Sequence, residues 1–226
     1  MKPWLVVDSY TEGDAAGNFC PHLDGPVTVV RAASGRLPLS PRPHRGVIVT
    51  GSAAGVNDRL PWVQQTVDFV RRAVAQDVPV LGVCFGHQVL AEAVIGPRAV
   101  HRSPRPEVGW FRIHVDRPSP ILAGFPAHFQ TFLSHFDEVR PAVAHHLDVI
   151  ASSARCPIQA FQVPGRRAWG VQFHAEMGPA ETRRIVHRYV GSRVPGQPAR
   201  ALQRATDSRR IIAGLLDNFT RATASG

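Results

Sequence analysis

Gly82-Val83-Cys84-Phe85-Gly86-His87-Gln88 constrains this chain more than any other stretch. It follows an apolar run, Val78 to Val83, and leads into a helix-like segment, Gln88 to Ile95. A cysteine between two glycines at a strand-to-helix junction is the arrangement by which a fold exposes a strained nucleophile. Glycines there permit a tight turn and keep side chains off the approach to the sulfur. The following helix aims free N–H groups and the positive end of its dipole at that sulfur, which favours thiolate. Only three cysteines and 19 glycines occur among 226 residues, so the pattern is no by-product of composition. The competing reading is a cysteine packed at a βα corner.

The surrounding chain supplies the sheet such an elbow requires. Short β-branched runs recur at Leu5–Val7, Val27–Val30, Val47–Val49 and Val78–Val83. Between the last two, apolar residues at 63, 66, 67, 70 and 74 follow helical spacing, with Pro61 suited to a first helical turn. Strands alternating with helices predict an α/β fold with a mostly parallel central sheet flanked by helices. Sites in such sheets form beyond the carboxyl ends of the strands, where Cys84 falls. From about residue 110 the pattern changes to strand candidates joined by turns: Phe111–Val115, Thr131–Leu133, Val149–Ser152, Ile158–Val163 and Ala168–Phe173. They predict a small antiparallel extension that returns to the main sheet. A helix is expected over Pro179 to Val190 and a second, amphipathic one over Ser208 to Ala222. The proline-, glycine- and polar-rich residues 192–207 read as a surface connection to that last helix. The whole chain, 1–226, reads as one domain, with no internal repeat.

Composition closes off several classes of function. At 44% hydrophobic and 19% charged residues, the chain is ordinary globular material. No apolar run is long enough to span a membrane, and the N-terminus lacks a signal-peptide pattern, so the cytoplasm is expected. An odd cysteine count without metal-like spacing argues against a disulfide framework or a zinc knuckle; no metal and no cofactor are expected. Net charge is +9, and Lys2 is the only lysine. The arginines are scattered as pairs, such as Arg71-Arg72 and Arg166-Arg167, without aromatic interleaving. They describe a solvated basic surface rather than a nucleic-acid face.

A thiolate needs a proton acceptor, and the acceptor needs a group to orient it. Among eleven histidines, position selects His174, at the carboxyl end of the apolar run in Gly170-Val171-Gln172-Phe173-His174-Ala175-Glu176. In a parallel sheet that end shares an edge with Cys84, and Glu176 is placed to hold the far imidazole nitrogen. Cys20 and Cys156 read as packing thiols, His145-His146 as a surface pair and His87 as structural. Asp137 and Glu138 read as supports of their loop.

Gly-Val-Cys-Phe-Gly-His-Gln followed by Gly-Val-Gln-Phe-His-Ala-Glu resembles the class I (triad) glutamine amidotransferases, in particular stand-alone proteins similar to the glutaminase domain of GMP synthase. Val6 to Tyr10 resembles the family's first strand and its polar end, and Val49-Thr50-Gly51-Ser52 its oxyanion loop. Leu133 to Val139 resembles the segment beside bound glutamine. Ile158 to Phe161 and Trp169 to Phe173 resemble the strands that lead to the histidine. The resemblance spans nearly the whole chain and implies a flavodoxin-like fold. It further implies that Cys84 attacks the glutamine γ-amide, that His174 transfers protons, and that Glu176 orients His174. Backbone N–H groups of Phe85 and of the Gly51-Ser52 loop, chiefly Ser52, would meet the oxyanion. Gln88 and the segment Ser134, His135 and Phe136 would hold the amino-acid end of the substrate.

The sequence also departs from the family pattern. Ala175 stands where proline is usual between histidine and glutamate, Phe136 where many members have glycine, and Ala53-Ala54-Gly55 where a proline-containing loop is common. No synthetase domain or nucleotide-binding loop is visible. The expected function is therefore glutamine hydrolysis to glutamate and ammonia, supplied to a separate synthetase or acceptor subunit. Two alternatives stand beside it: a stand-alone hydrolase of γ-glutamyl amides or peptides, and a catalytically silent regulatory module on the same fold.

Overall fold

The computed structural model describes residues 1–11, 13–187 and 209–224. Nine strands form one sheet: β1 (Trp4–Asp8), β2 (Val27–Arg31), β3 (Val47–Val49), β4 (Val80–Val83), β5 (Val100–Val115), β6 (His128–Val139), β7 (Asp148–Ser152), β8 (Ala160–Gln162) and β9 (Ala168–Val171). Their order is β2-β1-β3-β4-β9-β8-β7-β5-β6. The first five of these positions are joined by parallel pairings and the remainder by antiparallel ones. The expected α/β architecture, with a parallel centre and an antiparallel extension, is what the chain adopts.

Both faces of the parallel part are covered, which is why its strands read as unbroken apolar runs rather than alternating ones. Leu5, Val7, Val47, Val49 and Val80 point to one side. There they meet α1 (Pro61–Ala75) through Val63, Val67 and Val70, and α2 (Phe85–Ile95) through Phe85, Val89 and Leu90. Trp4, Val6, Ile48, Leu81 and Trp169 point to the other side, against Ile212, Leu215, Leu216 and Phe219 of the C-terminal helix. A shorter helix, α3 (Pro179–Ile185), follows β9, and the C-terminal helix, α4, spans Arg209–Ala224. The Phe219 ring sits 5.6 Å from Trp4 and 6.0 Å from Trp169 by ring centroids, so α4 closes the second face of the sheet centre. Asn218 donates to the carbonyls of Ile121 (3.1 Å) and Ala123 (2.8 Å), which fixes where α4 lies.

Two sequence expectations need correction. The antiparallel region begins at Val100 rather than near residue 110, because β5 is 16 residues long and pairs with the 12-residue β6. Charged residues, with Pro104 and Pro106, hide the first part of β5 from any apolar pattern. The β5–β6 ladder breaks there, between Arg102 and Glu107. Second, α2 starts at Phe85, directly after Cys84, and not at Gln88. The expected connection over 192–207 and the end of the helix expected to reach Val190 lie outside the described residues. No described helix is long and apolar enough to cross a membrane.

Replacing Phe219 with alanine removes the aromatic wedge between Trp4 and Trp169. Urea denaturation of Phe219→Ala should show a loss of about 3–5 kcal/mol, the range for emptying a buried phenylalanine site.

Candidate active site

The elbow owes its shape to close backbone packing. A Cβ on Gly82 would lie 2.2 Å from the Gly86 carbonyl oxygen, and one on Gly86 would lie 2.2 Å from the Val49 carbonyl oxygen. The two glycines therefore let β3, β4 and the start of α2 approach backbone to backbone. Conformational strain sits on the cysteine itself, with φ 52° and ψ −102°, a region that L-residues with side chains avoid. Such strain persists only where neighbours enforce it. The Cys84 N–H donates to the Val171 carbonyl at 2.8 Å, and its carbonyl accepts from the Gln88 N–H at 3.2 Å.

Strand register closes the gap between Cys84 and His174. Val83 pairs with Val171 in the parallel β4–β9 ladder, so the two chains leave the sheet side by side. His174 is then clamped through its backbone: its N–H donates to the Phe132 carbonyl (2.8 Å), and its carbonyl accepts from the Thr131 hydroxyl (2.8 Å). Nδ1 of its imidazole lies 2.8 Å from Glu176 Oε1, and Cys84 sits near enough for its charge to act on the ring. All three residues are buried.

Burial opposes a charged imidazole here, but the negative charges on Cys84 and Glu176 outweigh it and hold the His174 pKa well above 6.5. Tyr10 borders the same charges. Burial, with Glu176, Glu181 and Cys84 adding to it, pushes its phenol well above 10. Burial likewise raises the carboxyl of Glu181, against the hydrogen bonds it accepts from Asn18.

Cys84 and His174 open onto a cavity of about 360 Å³. Ser52 and Phe85 also border it. Phe85 is the first residue of α2, so its N–H has no intrahelical acceptor. The Ser52 hydroxyl accepts from the Ala54 N–H (3.1 Å) and is committed to its own loop. Gly51 lies against the pair: a Cβ there would come within 2.9 Å of His174 Cε1 and 3.6 Å of Cys84 Cβ.

Gln88, Ser134 and Phe136 form another part of the wall. The Gln88 amide donates to the Asp137 carbonyl (2.8 Å) and to Gln172 Oε1 (3.1 Å). His135 also borders the cavity, but its ring is turned inward onto Glu107 (3.0 Å). At this end the sequence reading missed Arg102 and Asp58, and took Asp137 only as a support. Burial raises the Asp137 carboxyl, while the Arg102 guanidinium, 3.5 Å away, counteracts it. Arg102 also stacks 4.9 Å from the Phe136 ring centroid. No motif could have disclosed Arg102, because it acts through cross-strand pairing with Asp137.

The residues set aside from sequence lie elsewhere. His87 is fully buried 4.7 Å from the Phe161 ring, and burial lowers its pKa to about 3, leaving it neutral. His145 and His146 are exposed, and burial raises the Cys156 thiol.

The profile of the family "Glutamine amidotransferase class-I" matches residues 23–189, most of the chain. The chain belongs to this family. It is 35% identical over 163 residues to the "GMP synthase [glutamine-hydrolyzing]" of a Parafrankia species, covering 67% of this chain and 30% of that protein. It is 31% identical over 137 residues to a glutamine-hydrolyzing GMP synthase subunit of Methanococcus vannielii, covering 61% of this chain and 67% of that one. This class I glutamine amidotransferase thus spans under a third of the first relative and two thirds of the second. Its fold matches that of a glutamine amidotransferase from Methylobacillus flagellatus with a TM-score of 0.79 at 24% identity, over 99% of this chain and 94% of that one.

Because the folded His174 pKa lies above its unfolded value, the stability this gives is complete below about pH 6.5 and is lost as pH climbs through the raised value. Cys84→Ala removes the larger of the two influences that raise it. NMR titration of the His174 ring should then show a lower midpoint than in the wild type.

Proposed function

We propose that this chain hydrolyses the γ-amide of glutamine through a thioester on Cys84. The observation that carries this reading is the strained Cys84 beside His174, itself held by Glu176, at the wall of a cavity of about 360 Å³. The Cys84 sulfur adds to the amide carbon, and the carbonyl electrons move to oxygen. Backbone N–H groups of Phe85 and Ser52, with the Gly51 loop packed behind, stabilise that oxyanion. His174 gives its proton to the nitrogen, the C–N bond breaks and ammonia leaves. A water molecule then transfers a proton to His174 and adds to the thioester, and C–S cleavage releases glutamate and restores the thiolate–imidazolium pair. Glu176 keeps the ring oriented and its charged form favoured throughout.

Gln88 and the strand around Ser134 to Phe136 hold the substrate's amino-acid end. Asp137 and Arg102 suit its ammonium and carboxylate respectively. The Methanococcus relative is one subunit of a GMP synthase, which supports passage of the ammonia to a separate synthetase subunit. A second reading, hydrolysis of other γ-glutamyl amides, draws on Phe136 and its stacked Arg102, which shape the pocket away from a glycine-lined one.

Purified protein incubated with glutamine should release equal amounts of glutamate and ammonia, and a glutamine-analogue electrophile should label Cys84 by intact mass. Release of amine from γ-glutamyl amines alone would favour the second reading; neither reaction, with or without a synthetase subunit, would defeat both. Ser52→Pro deletes one oxyanion donor and should lower turnover about 10²–10³-fold, whereas Ser52→Ala keeps the N–H and should change it little. Near-normal turnover in the proline variant would remove Ser52 from this role.

A further inference from the structure

We propose that His135 is a positioning residue: held as an imidazolium against Glu107, it clamps the Ser134–Asp137 segment of β6 in register with Cys84. This inference rests on the glutaminase reading for its kinetic consequence, though not for its structural one.

The need for a clamp follows from the β5–β6 pairing. Arg102 pairs with Asp137, and the next pair is Glu107 with His135, so β5 advances five residues while β6 advances two. Ser103 to Pro106 arch out of the ladder, and Pro104 and Pro106 have no N–H to donate. The ladder is thus interrupted opposite Phe136, on the stretch that borders the cavity. Side chains take over where backbone pairing stops.

His135 supplies the replacement. Its side chain is 1% exposed, with Nδ1 3.1 Å from the Asp137 carbonyl oxygen and Nε2 3.0 Å from Glu107 Oε2. Glu107 also accepts from the Gln159 amide on Oε2 (2.6 Å) and from the Ser153 hydroxyl on Oε1 (2.6 Å). The Gln159 amide and the Ser153 hydroxyl both donate to Glu107 independently of His135, which leaves Glu107 the acceptor toward Nε2, and a peptide carbonyl can only accept. A neutral imidazole has one N–H and could satisfy one of its two acceptors; two acceptors require both nitrogens protonated. The buried charges are thereby paired and hydrogen-bonded, the condition under which burial is tolerated. The other titratable groups facing this ring are Asp137, Cys156 and His87.

The clamp connects to the nucleophile in two steps. The Asp137 carbonyl that accepts the His135 hydrogen bond also accepts from the Gln88 side-chain amide, and the Gln88 backbone N–H donates to the Cys84 carbonyl. Cys84 Sγ itself lies 4.0 Å from the Ser134 carbonyl oxygen. Freeing β6 here would shift the cavity wall relative to the sulfur without altering Cys84, His174 or Glu176. A metal is the rival occupant, since ligand atoms of Glu107, His135 and Cys156 lie within 4.8 Å of one another. The Glu107 oxygens are already taken by Ser153 and Gln159, and burial disfavours the Cys156 thiolate a metal would need.

Three measurements test the proposal on the intact protein. Nitrogen-15 NMR of the wild type should show both His135 ring nitrogens protonated at neutral pH; a neutral tautomer would overturn it. Elemental analysis should find no bound zinc, nickel or iron, and a stoichiometric metal lost in Cys156→Ser would overturn it. Glu107→Gln keeps the shape and removes the counter-charge, so it should raise KM for glutamine about tenfold or more while leaving kcat within a few-fold. His135→Gln, which retains an amide donor toward Asp137, should recover part of the KM lost in His135→Ala. Unchanged KM in Glu107→Gln with a folded circular-dichroism spectrum would overturn the positioning role. If the wild type turns over no glutamine, the glutaminase reading fails and the NMR result alone decides the clamp.

Discussion

The pairing of β4 with β9 is the constraint on which the rest of the site depends. It sets Val83 opposite Val171, draws the Cys84 N–H onto the Val171 carbonyl, and sends both chains out of the sheet at the same level. One residue of slip would turn every side chain of β9 to the opposite face and carry His174 away from the sulfur. Burial of both faces penalises that slip: Trp169 packs against α4, while Ala168 packs on the side of α1 and α2. The apolar layers thus act on the chemistry through register.

Close backbone packing then puts the strain where it is useful. Without side chains at Gly82 and Gly86, α2 begins immediately at the end of β4, and the positive φ falls on Cys84. The first turn of α2 starts at Phe85 beside the cavity, where N–H groups lack an intrahelical acceptor. Around them, Cys84, His174 and Glu176 share a buried space in which the first and last favour a charged imidazole against desolvation. A second buried pair, His135 with Glu107, lies behind the opposite wall and compensates for a ladder that prolines interrupt.

Much of this was legible in the sequence, for identifiable reasons. Doubly buried strands advertise themselves as β-branched runs, so β1, β3 and β4 were plain. The amphipathic periods of α1 and α4 were equally plain. Local motifs marked Cys84 and the His174–Glu176 pair because their spacing reflects turns closed within a few residues. The length of β5 was hidden, because polar residues and two prolines broke the pattern that reports a strand. Arg102, Asp58 and Glu107 were hidden for another reason: they reach the site across strands, and no short-range spacing records such a meeting.

The sequence by itself determined the parallel α/β frame, the elbow and the identities of the three residues grouped at the sulfur, since each is written in contiguous or periodic residues. Tertiary structure alone decided which carbonyls and side chains hold them. It gave the elbow glycines a packing role, and turned the His135 ring onto Glu107. Those outcomes rest on distances between segments far apart in the chain, which are set by strand register and by the volume left between packed layers.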